Sequence, residues 1–562
     1  MISGAVTADA VGPRTSPDQE TTAWPPGVPY IVGNEVCERF SYYGMRSILY
    51  VYMAGHLYRQ HAEYAARAED LATAHIHLFS AGAYALPMVG AIVADRFLGK
   101  YRTILVLSLV YCLGHAVLSA TEGSLVGLWI GLGCIAVGAG GIKPCVSAHV
   151  GDQFGRGNWF RLRTIYQIFY FTINFGSTFS FLIIPWVFDF RTTETGFLKV
   201  HAVSIAFGIP GVLMLIATIA FFMGRNVFVH VPPSPGGRLG FLDALASLSF
   251  FMAFGHLFLT GGQSWWVIAL ATLAFIALGA ALFAARQRME ADDGFLPILL
   301  YAARARLGLA ARTRSPAGQA PVLDPSDDLA ESRFLAPAVE RFGAEATRGP
   351  HAVLKIMSIF IMVSIFWALF DQNSTSWVRQ AELMRTVKIL GFEVRPAQVQ
   401  ALNSVLVMLL IPLMNSVVYP CVEKLGVRAT ALRRMTAGMV IASLSFVAVA
   451  LIQQRIDREL PGTVSILWQV VPYLIITVAE VLVSITGLEF AYSQAPKRMK
   501  STIMGFWFLT IAIGNVLVSL LAEFGKLPLV QFFWVFAGLM LLAGTLFGIR
   551  AHFYVERDFV QE

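Results

Sequence analysis

The sequence predicts an all-α membrane protein with fourteen transmembrane helices, arranged as two six-helix bundles with two extra helices between them. Three observations predict this fold class. Hydrophobic residues make up 56% of the 562 residues and charged residues only 14%, whereas a soluble domain is about 25% charged. Apolar stretches of about 20 residues, long enough to cross a bilayer as a helix, recur along the whole chain. Positive charge lies in alternate connecting loops, which is typical of chains that cross a membrane repeatedly.

The apolar stretches fall into groups of six, two and six. The first six lie at 29–55, 72–94, 103–120, 126–150, 164–188 and 201–223. Two more follow at 241–259 and 264–285, and the last six lie at 351–373, 399–420, 429–452, 465–491, 501–523 and 528–550. The predicted domains are therefore a tail (1–24), a first bundle (25–228), two inserted transmembrane helices (229–290), a linker (291–350), a second bundle (351–552) and a tail (553–562).

The placement of Lys and Arg predicts the orientation of the chain. The loop after the second span carries Arg96, Lys100 and Arg102, whereas the loop after the third span carries no basic residue. Because positive charge marks the cytoplasmic side, we expect both termini in the cytoplasm and the spans in a plasma membrane, the inner membrane of a bacterium. We expect the cytoplasmic linker to contain a surface helix over Phe295–Arg312, followed by a disordered Pro/Asp/Ser-rich run.

Net charge and cysteine spacing exclude several other classes of protein. The net charge of +7 comes from basic residues in short loops, so it does not indicate a nucleic-acid partner. The five cysteines lie in or beside apolar stretches, and their spacing fits neither a metal site nor a disulfide framework. Residues 1–24 show no apolar signal-peptide core. A membrane enzyme is disfavoured because no nucleophile–base pair or metal-ligand spacing is present.

The first span carries an unusual polar face. Six of its residues fall within an arc of about 140° at 100° per residue, namely Glu35, Glu38, Arg39, Tyr42, Tyr43 and Arg46. Ionisable residues in mid-membrane are costly, so each one is a functional candidate. A solvated face of a surface helix is the alternative, and it is disfavoured by the apolar flanks and by the length of the span.

Three further ionisable residues lie within predicted spans, and their depths suggest partners for them. Lys143 lies about 12 Å above the cytoplasmic end of the fourth span, which is the depth of Glu35 and Glu38. Asp371 lies near the outer end of the seventh span, at the depth of Arg46. Glu480 falls near the middle of the tenth span, within reach of Lys143 if the two helices face one cavity. A snorkelling lysine is the alternative for Lys143.

The charges within the membrane do not balance. Three cations, Arg39, Arg46 and Lys143, face four carboxylates, Glu35, Glu38, Asp371 and Glu480. A surplus carboxylate in a medium of low dielectric constant readily holds a proton. Such a cavity also offers positive groups to a carboxylate and a negative group to an amine, so it suits a zwitterionic substrate carried together with protons.

The same residues carry a family pattern. The segment Glu35-Val-Cys-Glu38-Arg39-Phe40-Ser-Tyr42-Tyr43-Gly44 resembles the ExxERFxYYG signature of the proton-dependent oligopeptide transporter family. Further resemblances follow in order along both halves, at Gly90–Asp95 with Gly99–Thr103, Gly140–Pro144 with Asp152–Phe154, Phe169–Ser177, Phe366–Gln372 and Gly487–Pro496. The loop from Asp95 to Arg102 resembles the gating loop of the major facilitator superfamily, and Glu423–Arg428 is a weak second copy, as a duplicated six-helix unit would give.

The resemblance implies a major facilitator fold, alternating access and a central peptide site. It implies that Arg46 and Lys143 attract the peptide carboxylate and that Glu480 holds the amine. It implies two groups of further substrate-binding residues: Asn174 and Asn403 at the peptide ends, and pocket walls formed by Tyr42, Tyr43, Tyr84, Trp367 and Trp507. Proton coupling and gating are assigned to Glu35, Glu38, Arg39, His77, Asp371, Arg46 and Asp95.

His77 is assigned on two grounds. It resembles the histidine of the animal transporters, and an imidazole has an ordinary pKa of about 6.5. It lies about 8 Å below the predicted outer surface, so we expect it to take a proton from outside and to compete with Arg46 for Asp371. Two positions depart from the family pattern: Ile485 replaces the usual proline, which puts the bend of the tenth span in doubt, and Asp371 replaces a glutamate of many bacterial members. Glu489 is interpreted as structural.

These observations predict a monomeric, proton-driven importer of di- and tripeptides in contact with membrane lipid, with no cofactor and no metal. One alternative is a relative that transports nitrate or another small anion, which Glu480 would repel. Another is a peptide sensor that binds without translocating, for which the 286–350 segment is short and polar. Side-chain preference, affinity and proton stoichiometry do not follow from the sequence.

Overall fold

The computed structural model describes residues 14–256, 264–289, 295–308, 329, 332–389, 391–426, 428–460, 462–494, 500–524 and 527–554. Within these residues the chain is almost wholly helical. One hairpin, β1 (Lys388–Ile389) paired antiparallel with β2 (Phe392–Glu393), interrupts the helices. The predicted disordered run, most of the first tail and most of the last tail lie outside the described residues.

The first bundle contains six long helices and two short connecting ones. They are α1 (Val28–Tyr52), α2 (Ala62–Ala65), α3 (Ala68–Val93), α4 (Lys100–Ala120), α5 (Leu125–Gly151), α6 (Leu162–Phe188), α7 (Phe190–Thr193) and α8 (Phe197–Met223). A π-helical turn, Ala94–Leu98, continues α3. Gly99 follows it with a φ of +80°, a conformation that glycine adopts without strain, and this lets the chain reverse into α4.

Between the two bundles, the described residues form four helices. They are α9 (Gly237–Gly255), α10 (Trp265–Met289), α11 (Phe295–Arg306) and α12 (Ala336–Phe342). The predicted surface helix over Phe295–Arg312 corresponds to α11, although the helix ends at Arg306 and residues 309–312 lie outside the described part.

The second bundle repeats the six-span pattern with more interruptions. Its helices are α13 (Ala344–Phe370), α14 (Ser376–Glu382), α15 (Ala401–Leu413), α16 (Tyr419–Lys424), α17 (Ala431–Arg458), α18 (Val470–Glu480), α19 (Thr486–Ser493), α20 (Lys500–Phe524) and α21 (Leu529–His552). Helix α13 begins within the range assigned to the linker. A π-helical turn, Val481–Ile485, joins α18 to α19, so this span is irregular even though Ile485 replaces the family proline.

Within the described chain, twelve helices are long and apolar enough to cross a membrane. Helices α1 and α9 are not among them. Helix α1 is too polar because Glu35, Glu38, Arg39 and Arg46 lie along it, and it packs between α6 and α8. Helix α9 packs against α10 and α3. Adding these two to the twelve is consistent with the predicted fourteen.

Each bundle buries its own apolar core, and the two meet along α3 and α20. Tyr84 of α3 stacks on Phe508 of α20, with ring centroids 6.5 Å apart. On its other side α3 packs tightly on α5. The backbones approach so closely that a Cβ placed on Gly90 would lie 2.5 Å from the Cα of Gly141. Glycine at both positions therefore permits this close approach.

The two ends of the helical body differ. At the basic end, defined by the loops after α3 and α5, Lys100 pairs with Asp152 at 2.8 Å and Asn158 donates to the carbonyl of Ala23 at 2.9 Å. At the opposite end, called the far end, Arg379 before the hairpin pairs with Asp70 at the start of α3 at 2.9 Å. The segment before α1 also lies at the basic end, beside the loop after α5, where Arg161 donates to the carbonyl of Thr22 at 2.9 Å.

Candidate functional site

The polar face of α1 forms a compact ionic cluster. The guanidinium Nε of Arg39 lies 2.7 Å from Glu35 Oε1 and 3.1 Å from Glu38 Oε2. These side chains are nearly inaccessible, at 11%, 4% and 0% exposure. Two carboxylates thus share one guanidinium in a medium of low dielectric constant, where a second negative charge is costly. This cluster can hold a proton on one carboxylate.

Lys143 has no anionic partner within the described chain. Its Nζ lies 4.1 Å from the ring centroids of both Tyr42 and Tyr84 and donates no hydrogen bond within the described residues. The close packing of α3 on α5 brings Tyr84 to this position. Cation–π contacts of this kind stabilise an ammonium by about 0.5–2 kcal/mol, which is less than a buried carboxylate contributes. The ammonium is therefore available to an anionic group of a ligand.

Glu480 is held by an amide rather than by a cation. Asn403 Nδ2 of α15 donates to Glu480 Oε2 at 2.8 Å and lies 3.1 Å from Thr477 Oγ1. The carboxylate forms no ion pair among the described residues. Tyr43 of the first bundle lies close enough to Glu480 to interact with it electrostatically, and the Tyr42 and Tyr43 rings are 5.5 Å apart. A chain of aromatic rings thus connects the Lys143 region to Glu480.

A buried polar network joins the two bundles toward the far end. Arg46 Nη2 lies 2.8 Å from Asp371 Oδ1, in the contact that their common depth predicts. The second oxygen of Asp371 accepts a hydrogen bond from Asn515 Nδ2 at 2.5 Å. Asn515 Oδ1 lies 2.7 Å from His77 Nδ1, and His77 Nε2 lies 2.9 Å from Thr375 Oγ1. We call these five residues the far layer.

The geometry of the far layer assigns the proton on His77. Because the Asn515 amide nitrogen faces a carboxylate, its oxygen faces the ring and accepts from Nδ1–H. Nε2 of the neutral ring then accepts from the Thr375 hydroxyl. Asn515 lies between His77 and Asp371, so competition of a protonated His77 with Arg46 for Asp371 would act through this amide. The ring is also 0% exposed, so it does not contact the external medium in this conformation.

Further contacts close the far end around this layer. They connect Arg379 with Glu69 and Asp70, Arg395 with Asp189, Gln400 with the carbonyl of Ser47, and Ser177 with Ser404. The side chain of Arg67 donates to the carbonyl of Glu523. All of these contacts lie between the middle of the helices and the far end, so the two bundles are joined there.

The remaining predicted residues lie in separate parts of the structure. Asn174 Nδ2 donates to the Tyr170 carbonyl of its own helix at 2.9 Å. Trp367 and Trp507 meet at right angles with centroids 6.0 Å apart, and Trp507 packs over Gly487 with only 2% exposure, so it lies within the second core. Asp95 lies in the π turn after α3, where its carbonyl accepts from Ser234 N at 2.9 Å. The side chain of Glu489 lies outside the described residues.

Sequence reasoning missed three polar residues of the site. Asn515 and Thr375 complete the far layer, and Thr477 shares Asn403 with Glu480. Asn515 and Thr477 lie in the middle of apolar helices. A neutral amide or hydroxyl in such a position is the available signal, although it is weaker than that of a charge.

Two six-helix bundles that enclose charged residues of both signs define a membrane transporter of the major facilitator fold, rather than an enzyme. A profile described as the POT family matches residues 101–239 and 321–535. The crystal structure of an auto-inhibited POT family peptide transporter is 36% identical, with a TM-score of 0.72 over 96% of this chain and 99% of that one. The structure of the POT family transporter PepTSo is 37% identical, with a TM-score of 0.72 over 94% and 98%.

Solute carrier family 15 member 1 of Rattus norvegicus is 32% identical over 456 residues, which covers 78% of this chain. The chain spans 53% of the length of that relative. The profile match and the two solved structures extend over both halves. This chain belongs to the POT family.

Proposed function

We propose that this chain imports di- and tripeptides together with protons by alternating access. The observation that carries the proposal is that two charged residues, the buried Lys143 and the partly buried Glu480, have no ionic partner in the described chain. The Lys143 ammonium contacts only aromatic rings, and the Glu480 carboxylate is held by a neutral amide. A short peptide carries one carboxylate and one ammonium, so it supplies both missing partners at once.

The positions of these groups suggest how the peptide lies. Its carboxylate binds Lys143, assisted by Arg46, and its amine binds Glu480. Asn403, which already donates to Glu480, is placed to contact the peptide amine end or backbone, and the Tyr42 and Tyr43 rings lie between the two charges. A small inorganic anion uses only the lysine side and leaves Glu480 unpaired, so the geometry favours a zwitterion.

Proton coupling is assigned to the cluster on α1. Glu38 interacts electrostatically with both Arg39 and Lys143. A peptide carboxylate that approaches Lys143 draws this positive charge away from Glu38, and one of the clustered carboxylates then takes up a proton. Release of the peptide reverses the exchange. The two binding events are therefore linked through shared cations.

The far layer supplies the gate. Arg46 and Asp371 belong to different bundles, and their contact, together with those of Arg379, closes the far end. Breaking the far layer opens that end, as alternating access requires. We place the basic end in the cytoplasm of a bacterial inner membrane, where loops rich in Arg and Lys are retained, and treat the transporter as a monomer driven by protons without a cofactor.

The test is uptake of labelled dialanine into proteoliposomes with and without an inward proton gradient. Accumulation above the external concentration is expected only with the gradient, and excess unlabelled dipeptide should suppress it. Accumulation of nitrate in place of dialanine under the same gradient would favour the anion transporter. Saturable binding of dialanine without any uptake would indicate a sensor.

A further inference from the structure

The first bundle contains buried polar side chains that the proposed function leaves without a role. Four of them lie with Glu38 among α1, α4 and α5, and each is at most 1% exposed. Each has at least one side-chain atom without a hydrogen-bond partner in the described part of the chain. Together with Glu38 they form a set that we call the inner polar file, which consists of Asn34, Glu38, Ser108, Tyr111 and His149.

Two contacts with α8 fix the relative heights of α1 and α4. Ser41 Oγ of α1 donates to the carbonyl of Pro210 at 2.6 Å. A Cβ placed on Gly211 would lie 2.7 Å from the Cβ of His115 of α4. Pro210 and Gly211 are adjacent on α8, so Ser41 and His115 lie at the same height in the membrane.

The file descends from this height toward the basic end. Helices α1 and α4 run in the same direction, so Glu38 and Tyr111 lie about 5–6 Å below it and Asn34 and Ser108 about 10 Å below it. Tyr111 interacts electrostatically with Glu38, as this alignment requires. His149 of α5 lies lower again. The five residues thus form successive steps from the proton-holding cluster to the basic end.

The lower end of the file is fixed by aromatic contacts. The His149 ring lies 5.9 Å from Phe221 and 5.1 Å from Phe228. The carbonyl of His149 accepts from Gln153 Nε2 at 2.9 Å, and Gln153 follows the end of α5. Lys100 and His230 of the basic end act electrostatically on His149. The charged groups that face Glu38 at the upper end are Arg39, Glu35 and Lys143.

Unpartnered polar atoms in such a series indicate a ligand small enough to reach all of them. Buried polar groups in folded proteins are hydrogen-bonded almost without exception, and an internal water makes about three hydrogen bonds to groups of this kind. A carboxyl group, a phenol, a hydroxyl, an amide and an imidazole can each exchange hydrogen bonds with water in either direction. A chain of such bonds conducts protons.

We propose that the inner polar file holds internal water molecules and is the route by which Glu38 releases its proton at the basic end. The inference rests on the proposed function, since it concerns the same proton. The O–H bond of the Glu38 acid breaks, the adjoining water takes the proton, and a proton leaves the last water beside His149 at the basic end. The Glu38 carboxylate remains paired with Arg39. Proton and peptide thus leave by separate routes.

The experiment compares two activities of the full chain in proteoliposomes. Gradient-driven uptake of dialanine, followed with a proton-sensitive dye inside the vesicles, requires release of the proton. Counterflow of labelled against unlabelled dialanine at equal pH needs no net proton movement and reports folding and peptide binding. The variants are Tyr111→Phe, Asn34→Leu and Ser108→Ala. Ser80→Ala is the matched control, because Ser80 is equally buried and unpartnered but lies on α3 outside the file.

Tyr111→Phe and Asn34→Leu should each lower gradient-driven uptake and proton flux by about tenfold, the factor expected when one hydrogen bond of the route is lost. Counterflow should be unchanged in both variants. Ser108→Ala should lower gradient-driven uptake and proton flux by a smaller factor, and Ser80→Ala should lower neither. Unchanged proton flux in both Tyr111→Phe and Asn34→Leu would overturn the route while leaving the proposed function intact. Peptide uptake by the parent protein without any proton flux would overturn both.

Discussion

Two layers of charge lie one above the other between the bundles, and their side chains are partnered in opposite ways. In the far layer, Arg46 meets Asp371 at 2.8 Å, and hydrogen bonds extend the chain through Asn515 to His77. Lys143 and Glu480 form what we call the central layer. The ammonium of Lys143 lies between two aromatic rings, and Glu480 is held by an amide. Glu480 is only partly buried, but Lys143, at 6% exposure, is nearly as inaccessible as Arg46 at 4% and Asp371 at 3%. Burial therefore does not account for the missing ionic partner of Lys143.

The two layers differ in what stabilises them. Removing one partner of a buried ion pair costs about 3–5 kcal/mol, so the far layer stabilises the conformation in which it forms. A central layer without ion pairs carries no such preference of its own. Its charges gain ionic partners only from a bound ligand, so this is the layer that we propose binds the peptide. Under the proposed function, the far layer controls conformation and the central layer, Lys143 and Glu480, controls binding.

The largest effect should come from Glu38, the carboxylate to which proton coupling is assigned. Glu38→Gln keeps the shape of the side chain but holds no exchangeable charge, so gradient-driven accumulation of dialanine should fall to the level reached without a gradient. Peptide binding, measured by calorimetry, should remain largely intact. Glu459→Gln is the control, since Glu459 pairs with Arg455 in an exposed contact. Concentration of peptide by the Glu38→Gln protein under a proton gradient would contradict this assignment.

The next effect tests whether the central layer recognises the peptide carboxylate. Losing a charge-assisted hydrogen bond costs about 2–3 kcal/mol, which corresponds to a roughly 30- to 140-fold weaker Kd. Lys143→Ala should weaken binding of dialanine by this factor, and the parent protein should bind the C-terminally amidated peptide about as poorly. Arg46→Ala should also weaken binding, through its part in the same attraction.

The control for this experiment is Lys199→Ala, which removes an exposed lysine near the far end. The informative comparison is the preference for free over amidated peptide, because Lys143→Ala should abolish it. A Lys143→Ala protein that keeps the parent preference would break the distinction between the two layers, since the lysine would then have no role in binding.

A third, smaller effect tests the far layer as a lock. Asp371→Asn removes the charge opposite Arg46 but keeps a hydrogen-bonding group, so we expect a shift toward the open far end of about tenfold in population, or about 1.4 kcal/mol. Distances between spin labels at the far ends of α1 and α13 would measure it. Arg379→Ala, which breaks a partly exposed pair at 26% exposure, should shift the population less because such pairs contribute about 0.2–1 kcal/mol. Equal shifts would show that burial of the far layer does not matter.

The sequence predicts the helices and the depth of each charge well, and their partners less well. Counting residues along a helix gives depth directly, because each residue adds 1.5 Å, and it placed Arg46 beside Asp371. It does not give the rotation of one helix relative to its neighbour. For that reason it suggested Glu38 or Glu480 as the partner of Lys143, whereas the structure places Tyr42 and Tyr84 there.

Neutral residues were harder to find than charged ones. Asn515 and Asn403 each donate to one oxygen of a site carboxylate, that of Asp371 and that of Glu480 respectively. Only Asn403 was found, and that came from the family resemblance. An asparagine in an apolar helix is common enough that its role becomes visible only when the opposite helix is known. The irregular turn at Val481–Ile485 is a similar case, since no proline marks it.

The smallest effect concerns His77, which connects the far layer to pH. The ring is buried between Asn515 and Thr375, and its unprotonated nitrogen is Nε2, which accepts from the Thr375 hydroxyl. A proton added at Nε2 forces the Thr375 hydroxyl to turn and accept, and it places a positive charge two hydrogen bonds from Asp371. This charge competes with Arg46 through Asn515, so protonation should weaken the lock between the bundles.

His77→Gln can accept and donate hydrogen bonds but cannot take up this proton. We therefore expect the acidic limb of the uptake–pH profile to move or disappear, with a change in maximal uptake of no more than about tenfold, the factor that one hydrogen bond accounts for. His75→Gln is the matched control on the same helix, because His75 bonds to Tyr58 at 2.6 Å outside the far layer. Profiles of the parent and His77→Gln proteins that superimpose would confine proton coupling to the carboxylates of α1 and leave His77 as a neutral link in the lock.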